Sequence, residues 1–219
     1  MRTYKVAAVL LRYPELDWLS ELPQLRQALE EEWRFNHRAA ERLGPLIAFL
    51  QQPLIEVQTH YVEIFDRQPA HGLYLFEHLH GESRARGAAM VELLERYRGR
   101  GLELDCEDLP DHLPVFLEFL SLLPRREARR ELRSAAAVLR LLASRLHAAA
   151  SPYACLFEAL SRLAPRSAPD EPLRPSRDME QLLEREGRSP DGREPLLTPE
   201  VLVPVSSLSR RTAPPGSRS

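Results

Sequence analysis

Imidazole and carboxylate side chains are concentrated between residues 77 and 82, where the chain reads Glu-His-Leu-His-Gly-Glu. Imidazoles and carboxylates are good ligands for zinc or iron, so this segment could hold a metal ion. The spacing opposes that reading, because side chains at i and i+2 of a helix point about 200° apart, whereas the helical histidine pair of metalloproteases uses i and i+4. We therefore expect His78 and His80 to be buried or capping residues, and we predict no metal ligands.

A second candidate site begins directly after this segment, at Ser83, Arg84, Arg86 and Gly87. A hydroxyl, two guanidinium groups and free backbone N–H groups at a helix start could bind a phosphate or carboxylate. The alternative is that the arginines pair with nearby carboxylates and that the glycine only allows two helices to approach. Both interpretations remain open from the residues alone.

The segment from Glu103 to Asp111 is densely acidic and leads into the apolar residues Leu113 and Phe116. Such a run is commonly a solvated loop in front of a capped helix. Because apolar residues adjoin it, the segment could also form one wall of a groove that takes an amphipathic peptide with basic residues. No Ser/His/Asp or Cys/His grouping indicates a nucleophile, so we predict no catalytic residue.

Apolar residues recur at helical spacing along most of the first 164 residues, and strand signals are absent. The segment 53–66 should be a helix with Tyr61 and Phe65 one turn apart on the same face. Asp111 is a suitable cap for the next strongly apolar helix. We predict an all-α fold, with a single helical-bundle domain of about eight to nine helices over residues 1–164.

Composition changes after residue 164. Ten of the 19 prolines fall within residues 165–219, mixed with serine and arginine. Such a segment buries too little apolar surface to offset the entropy of ordering it. We expect a mostly disordered C-terminal tail.

The bulk composition excludes several classes of protein. The formal net charge is −2 with no contiguous basic face, which argues against a general nucleic-acid binder. Two cysteines without CxxC spacing argue against a disulfide framework, as expected in a reducing cytoplasm. No segment has the ~20 apolar residues of a membrane span, and the N-terminus does not read as a secretory signal. We expect a cytoplasmic protein that meets a membrane only through a partner.

Three ordered motifs resemble those of the nitrate reductase delta subunit family, the NarJ-type assembly chaperones. They are Tyr61-Val62-x-x-Phe65-Asp66-Arg67, Leu73-Tyr74-Leu75-Phe76-Glu77-His78-x-His80-Gly81-x-Ser83-Arg84-x-Arg86-Gly87-x-Ala89-Met90, and Leu109-Pro110-Asp111-His112-Leu113-Pro114-x-Phe116-Leu117-Glu118. The resemblance extends in pattern over roughly residues 3–164. The wider TorD/DmsD-type superfamily is similar too, although Asp111 here directly follows Pro110, without the residue that the wider signature places between them.

The resemblance implies an all-helical cytoplasmic chaperone that is not an enzyme and is absent from the finished oxidoreductase. It implies binding to the apo catalytic (alpha) subunit of respiratory nitrate reductase, especially its N-terminal segment. While bound, such a chaperone supports insertion of the molybdenum cofactor, a bis-molybdopterin guanine dinucleotide, and times docking on the membrane. No cofactor is expected to stay bound to the chaperone, and molybdenum cofactor biosynthesis proteins are further candidate partners.

Together, the residues and the resemblance predict one peptide-binding site and leave two alternatives. Four aromatic residues, Tyr61, Phe65, Phe76 and Phe116, are expected to line or support the groove. Three carboxylates, Glu107, Asp108 and Asp111, are expected to face basic residues of the peptide, and His112 is a further candidate peptide-binding residue. The alternatives are a small metal-dependent enzyme that uses residues 77–82 and a molybdopterin-cofactor carrier that uses Ser83, Arg84 and Arg86.

Overall fold

The computed structural model describes residues 1–32, 41–81, 84–104, 108–164 and 208–210, and for residues 32, 84 and 208–210 it describes the backbone alone. Within these ranges there are ten α-helices: α1 Arg2–Leu10, α2 Leu16–Leu19, α3 Leu22–Glu32, α4 Gly44–Leu50, α5 Leu54–Tyr61, α6 Leu75–His80, α7 Arg84–Arg98, α8 Leu113–Leu122, α9 Arg125–Ala148 and α10 Ala154–Leu163. The prediction of an all-helical class is confirmed.

Helix α8 lies at the centre of the domain. Every residue from Leu113 to Leu120 is buried, which fits a sequence that is apolar on all sides. Helix α1 packs along it, and the 24-residue helix α9 packs against both α8 and α10. The one carboxylate in this buried run, Glu118, forms an ion pair with Lys5 of α1, which offsets part of the cost of burying its charge.

The helix predicted over residues 53–66 is present but changes its winding. Pro53 precedes α5, and the chain continues from Tyr61 into a single π-helical turn, Val62–Asp66. A short 3-10 turn, Pro69–His71, then leads to α6. The rings of Tyr61 and Phe65 lie 5.0 Å apart, so the expected one-turn relationship between them holds.

Two short strands were not predicted. Strand β1, Leu102–Leu104, pairs antiparallel with β2, Leu208–Arg210, and β2 also lies against α8. The rest of the predicted disordered tail, residues 165–207 and 211–219, falls outside the described part of the chain.

Candidate functional site

The loop Leu109–His112 is held between α6 and α8 by main-chain hydrogen bonds. The Leu75 N–H donates to the Asp111 carbonyl at 3.0 Å, and the Leu113 N–H donates to the Leu73 carbonyl at 2.8 Å. The buried hydroxyl of Tyr97 donates to the Pro110 carbonyl at 2.8 Å. The second and third sequence motifs therefore meet in one fixed structure, which we call the junction.

Asp111 belongs to the buried side of the junction. Its side chain is 0% exposed, and its Oδ2 accepts a hydrogen bond of 3.1 Å from the Phe76 N–H, in the first turn of α6. The prediction that Asp111 caps the helix that follows it is wrong: the residue before α8 is His112, and it makes no side-chain cap. The short loop turns the carboxylate away from α8 and towards α6, where it satisfies a free helix N–H.

Burial raises the pKa of the Asp111 carboxyl above its ordinary value, and the hydrogen bond from the Phe76 N–H only partly opposes that shift. The second oxygen, Oδ1, is buried and has no hydrogen-bond partner among the residues that the structure describes. Desolvation therefore favours the neutral carboxylic acid at this position, and this side chain does not face solvent in the structure.

The four aromatic residues predicted for the groove also lie inside the protein. Tyr61, Phe65, Phe76 and Phe116 are each at most 6% exposed. The Tyr61 hydroxyl donates to the Leu11 carbonyl at 2.9 Å, and burial raises the pKa of the phenol. The structure thus places these rings in the hydrophobic core. Whether any of them also contacts a peptide stays a prediction.

Five side chains that are at least partly exposed form a continuous strip over the junction, which we call the junction strip: Tyr74, Glu77, Arg86, Asp108 and His112. The Tyr74 ring stacks on the His112 ring with centroids 5.1 Å apart. Arg86 lies 6.0 Å from the Tyr74 centroid, and its Nη1 lies 3.4 Å from Oε1 of Glu77. An aromatic pair with charges of both signs around it can bind an extended or helical segment that carries its own cations.

Asp108 and His112 supply the acidic end of the junction strip. His112 Nδ1 lies 3.2 Å from Oδ1 of Asp108, whose side chain is 44% exposed. Contact with the His112 imidazole lowers the pKa of Asp108, although partial burial opposes the shift. Asp108 is therefore ionised at neutral pH and open to a partner. Glu107, predicted to act beside it, falls outside the described residues.

His78 and His80, the two histidines of the 77–82 segment, contact other residues of the protein. His78 Nε2 lies 2.7 Å from the Gly72 carbonyl, which requires the proton on Nε2, and its Nδ1 lies 3.5 Å from Nη1 of Arg145. His80 packs its ring on Phe76 at 5.9 Å. Across the described parts of the chain, no three His, Cys, Asp or Glu side chains are grouped closely enough to hold a metal ion.

The predicted anion site is only partly visible. Ser83 and the side chain of Arg84 fall outside the description. Arg86, the third member, is directed towards Glu77 and Tyr74. The residue of this surface that sequence patterns did not predict is Tyr74, although it lies within one of the family motifs. The sequence signal for this role was weak. The apolar run Leu73–Phe76 contains two aromatic residues, Tyr74 and Phe76, and their types do not show which ring stays accessible.

Comparison with known proteins defines the class of this helical protein. The family model for the nitrate reductase delta subunit matches residues 22–159, so the chain belongs to that family. It is 42% identical over 166 residues to the probable nitrate reductase molybdenum cofactor assembly chaperone NarW of Escherichia coli (strain K12), a match that covers 75% of this chain and 68% of the relative.

Two further relatives carry similar names. The nitrate reductase molybdenum cofactor assembly chaperone NarJ of Escherichia coli (strain K12) is 42% identical over 161 residues, with 73% of this chain and 68% of the relative covered. The probable chaperone NarJ of Bacillus subtilis (strain 168) is 32% identical over 162 residues, with 72% and 85% covered. None of the described helices has the length and apolar character that crossing a bilayer requires.

Proposed function

We propose that this protein is a nitrate reductase molybdenum cofactor assembly chaperone and that residues 1–164 carry this role. Family membership and the names of three relatives support the assignment. Its client is the apo catalytic subunit of respiratory nitrate reductase, which it binds in the cytoplasm through that subunit's N-terminal segment. It performs no chemical turnover of its own.

The observation that carries the client-binding part is the division of the junction into a buried and an exposed half. The buried half fixes the loop through Asp111, Tyr97 and main-chain hydrogen bonds. The exposed half presents Asp108, His112 and Tyr74 on that fixed support. A recognition surface whose geometry is set before binding loses little conformational entropy when it binds.

The junction strip fits a segment that combines apolar anchors with basic residues. A helical peptide of about fifteen residues that buries ~800 Å² of apolar area gains ~20 kcal/mol before ordering and association costs. Each rim charge pair adds only ~0.2–1 kcal/mol. Asp108 should therefore set the orientation and association rate of the client segment more than its affinity.

The chaperone's effect on the cofactor follows from what it holds. While the N-terminal segment of the apo subunit is bound, that subunit stays open to insertion of the molybdenum cofactor, a bis-molybdopterin guanine dinucleotide, and is kept from docking early on its membrane partner. The cofactor is cargo for the client, and molybdenum cofactor biosynthesis proteins are the partners that would deliver it.

Co-purification tests this proposal. The full chain is expressed with the apo catalytic subunit, either intact or without its N-terminal segment. We expect a 1:1 complex with the intact subunit and its loss on deletion of the segment, together with a lower molybdenum content of catalytic subunit made without the chaperone. Equal recovery of both forms would contradict the assigned client segment, and equal molybdenum content would contradict the role in cofactor insertion.

A further inference from the structure

The C-terminal segment returns to the domain and pairs with it. In the antiparallel register, Leu102 faces Arg210, Glu103 faces Ser209 and Leu104 faces Leu208. The family match ends at residue 159, so β2 belongs to a part of the chain that the match leaves out. The pairing joins this segment to a strand inside the matched region.

Strand β1 lies shortly before the junction in the sequence. It follows α7 and leads into the acidic stretch that ends at the junction. Leu102 is buried, while Glu103 is exposed. Within the described residues β1 has β2 as its only strand neighbour, so without β2 the N–H and C=O groups along that edge would be open to another extended chain.

The pairing is short enough to be reversible. Each main-chain hydrogen bond contributes about 0.5–1.5 kcal/mol net, and an isolated two-stranded ribbon is marginal in water. The connection through residues 165–207 makes the contact intramolecular, with an effective concentration on the order of millimolar. If the intrinsic dissociation constant of the β1–β2 pairing is also on the order of millimolar, the pairing is formed in about half of the molecules.

We propose that β1 is a strand-addition site whose resident occupant is the chain's own C-terminal segment, Leu208–Arg210. When it is docked, the segment covers β1 and lies against α8; when it is released, it uncovers the edge that leads into the junction. The pairing thus limits access to the client surface, and this last step rests on the function proposed above.

A disulfide trap tests the docking. Cys106 and Cys155 are first replaced by serine, and Glu103→Cys is combined with Ser209→Cys. Partner Cα atoms in an antiparallel ladder lie about 4.5–5.5 Å apart, within the range that a disulfide spans. The matched control combines Glu103→Cys with Ser217→Cys. We expect rapid disulfide formation under mild oxidation for the register pair and slow formation for the control, whereas equal rates would overturn the proposal.

Hydrogen exchange checks the same pairing in the otherwise unaltered full-length chain. Successive amides of a strand point to opposite sides, so the double change Leu208→Pro and Ser209→Pro removes at least one donor from the ladder. We expect faster exchange at residues 102–104 than in the unchanged protein or in the control Ser217→Pro. Unchanged exchange would show that β2 does not protect β1.

Client binding tests the gating step separately. If the site is half occupied, the double proline variant should bind the client's N-terminal peptide about twofold more tightly, and the oxidised register pair should bind far more weakly than its own reduced form. If the disulfide forms but the affinity for the peptide does not change, the pairing of β2 with β1 stands, and the claim that this pairing limits access to the client surface is wrong. A trap that forms while the peptide binds neither redox form would count against the proposed client instead.

Discussion

Asp108 and Asp111 are the same residue type, three positions apart, on the two faces of one junction. Asp111 is buried, accepts a hydrogen bond from the Phe76 N–H and has a raised pKa. Asp108 is half exposed, contacts His112 and has a lowered pKa. The comparison shows that an acidic motif can contain one residue that builds a surface and another that presents charge on it.

The largest expected effect lies on the buried side. Phe65→Ala removes a ring that contacts Tyr61 at 5.0 Å and Tyr153 at 4.9 Å, so the unfolding free energy should fall by about 3–5 kcal/mol. Urea denaturation measures the change. Ile55→Ala, at a residue that is 69% exposed on the preceding helix, should change it by no more than ~0.5 kcal/mol. Equal effects would mean that Phe65 is not a core residue.

The next effect separates the hydrogen bond of Asp111 from its charge. Asp111→Ala leaves the Phe76 N–H buried without an acceptor and should cost about 1–2 kcal/mol. Asp111→Asn keeps an acceptor oxygen and should retain most of the stability. Chemical denaturation of both variants at neutral pH compares them. A stable alanine variant would contradict the role of Asp111 as a cap on α6.

The pH dependence of stability should have opposite signs for the two carboxylates. The raised pKa of Asp111 means that the unfolding free energy falls as pH rises from the ordinary value of 3.8 through the folded pKa. The lowered pKa of Asp108 means that its contribution is present above 3.8 and is lost as pH falls through the folded pKa.

Substitution by asparagine isolates each contribution. The measured quantity is the unfolding free energy of each variant minus that of the unchanged protein. For Asp111→Asn this difference should become more favourable to the variant as pH rises from acid to neutral. For Asp108→Asn it should become less favourable by a smaller amount, since exposed pairs are worth at most ~1 kcal/mol. Urea titrations between pH 3 and pH 7 measure both curves. If the difference from the unchanged protein changed with pH in the same direction for both variants, Asp108 and Asp111 would not differ in the direction of their pKa shifts.

An effect of similar size concerns the hydroxyl of Tyr61. Tyr61→Phe keeps the ring contacts but removes the hydrogen bond to the Leu11 carbonyl, so we expect a loss of about 1 kcal/mol in unfolding free energy. Affinity for the client peptide should not change at temperatures where the variant is folded. A marked loss of affinity would place Tyr61 on the binding surface after all.

The local part of this structure could be read from the sequence and the long-range part could not. Helical spacing predicted the helix containing Tyr61 and Phe65, and the ordered motifs indicated the family. The contact of Asp111 with Phe76 and the pairing of Leu102–Leu104 with Leu208–Arg210 join distant segments. Neither the spacing within one element nor the preference of aspartate for helix N-caps carries information about such contacts. That preference therefore assigned Asp111 to the wrong helix.

The same limit applies to the aromatic residues of the motifs: whether each ring is buried or exposed could not be predicted from the sequence pattern. Tyr61 and Tyr74 both belong to the family motifs, yet Tyr61 lies in the core while Tyr74 stacks on His112 at the surface. Which ring is covered depends on the neighbouring elements: Leu11 and Tyr153 lie against Tyr61 in the core, whereas Tyr74 contacts His112 and Arg86 and stays partly exposed. Residue type alone does not distinguish them.

The most direct test of the central claim is a calorimetric titration of the catalytic subunit's N-terminal peptide into Asp108→Lys. The matched control is Glu158→Lys, which reverses a carboxylate of nearly equal exposure, 43%, on α10. At low salt we predict about three- to tenfold weaker binding for Asp108→Lys only, shrinking as salt is added. Equal affinities for Asp108→Lys, Glu158→Lys and the unchanged protein would contradict the assignment of the junction strip as the recognition surface.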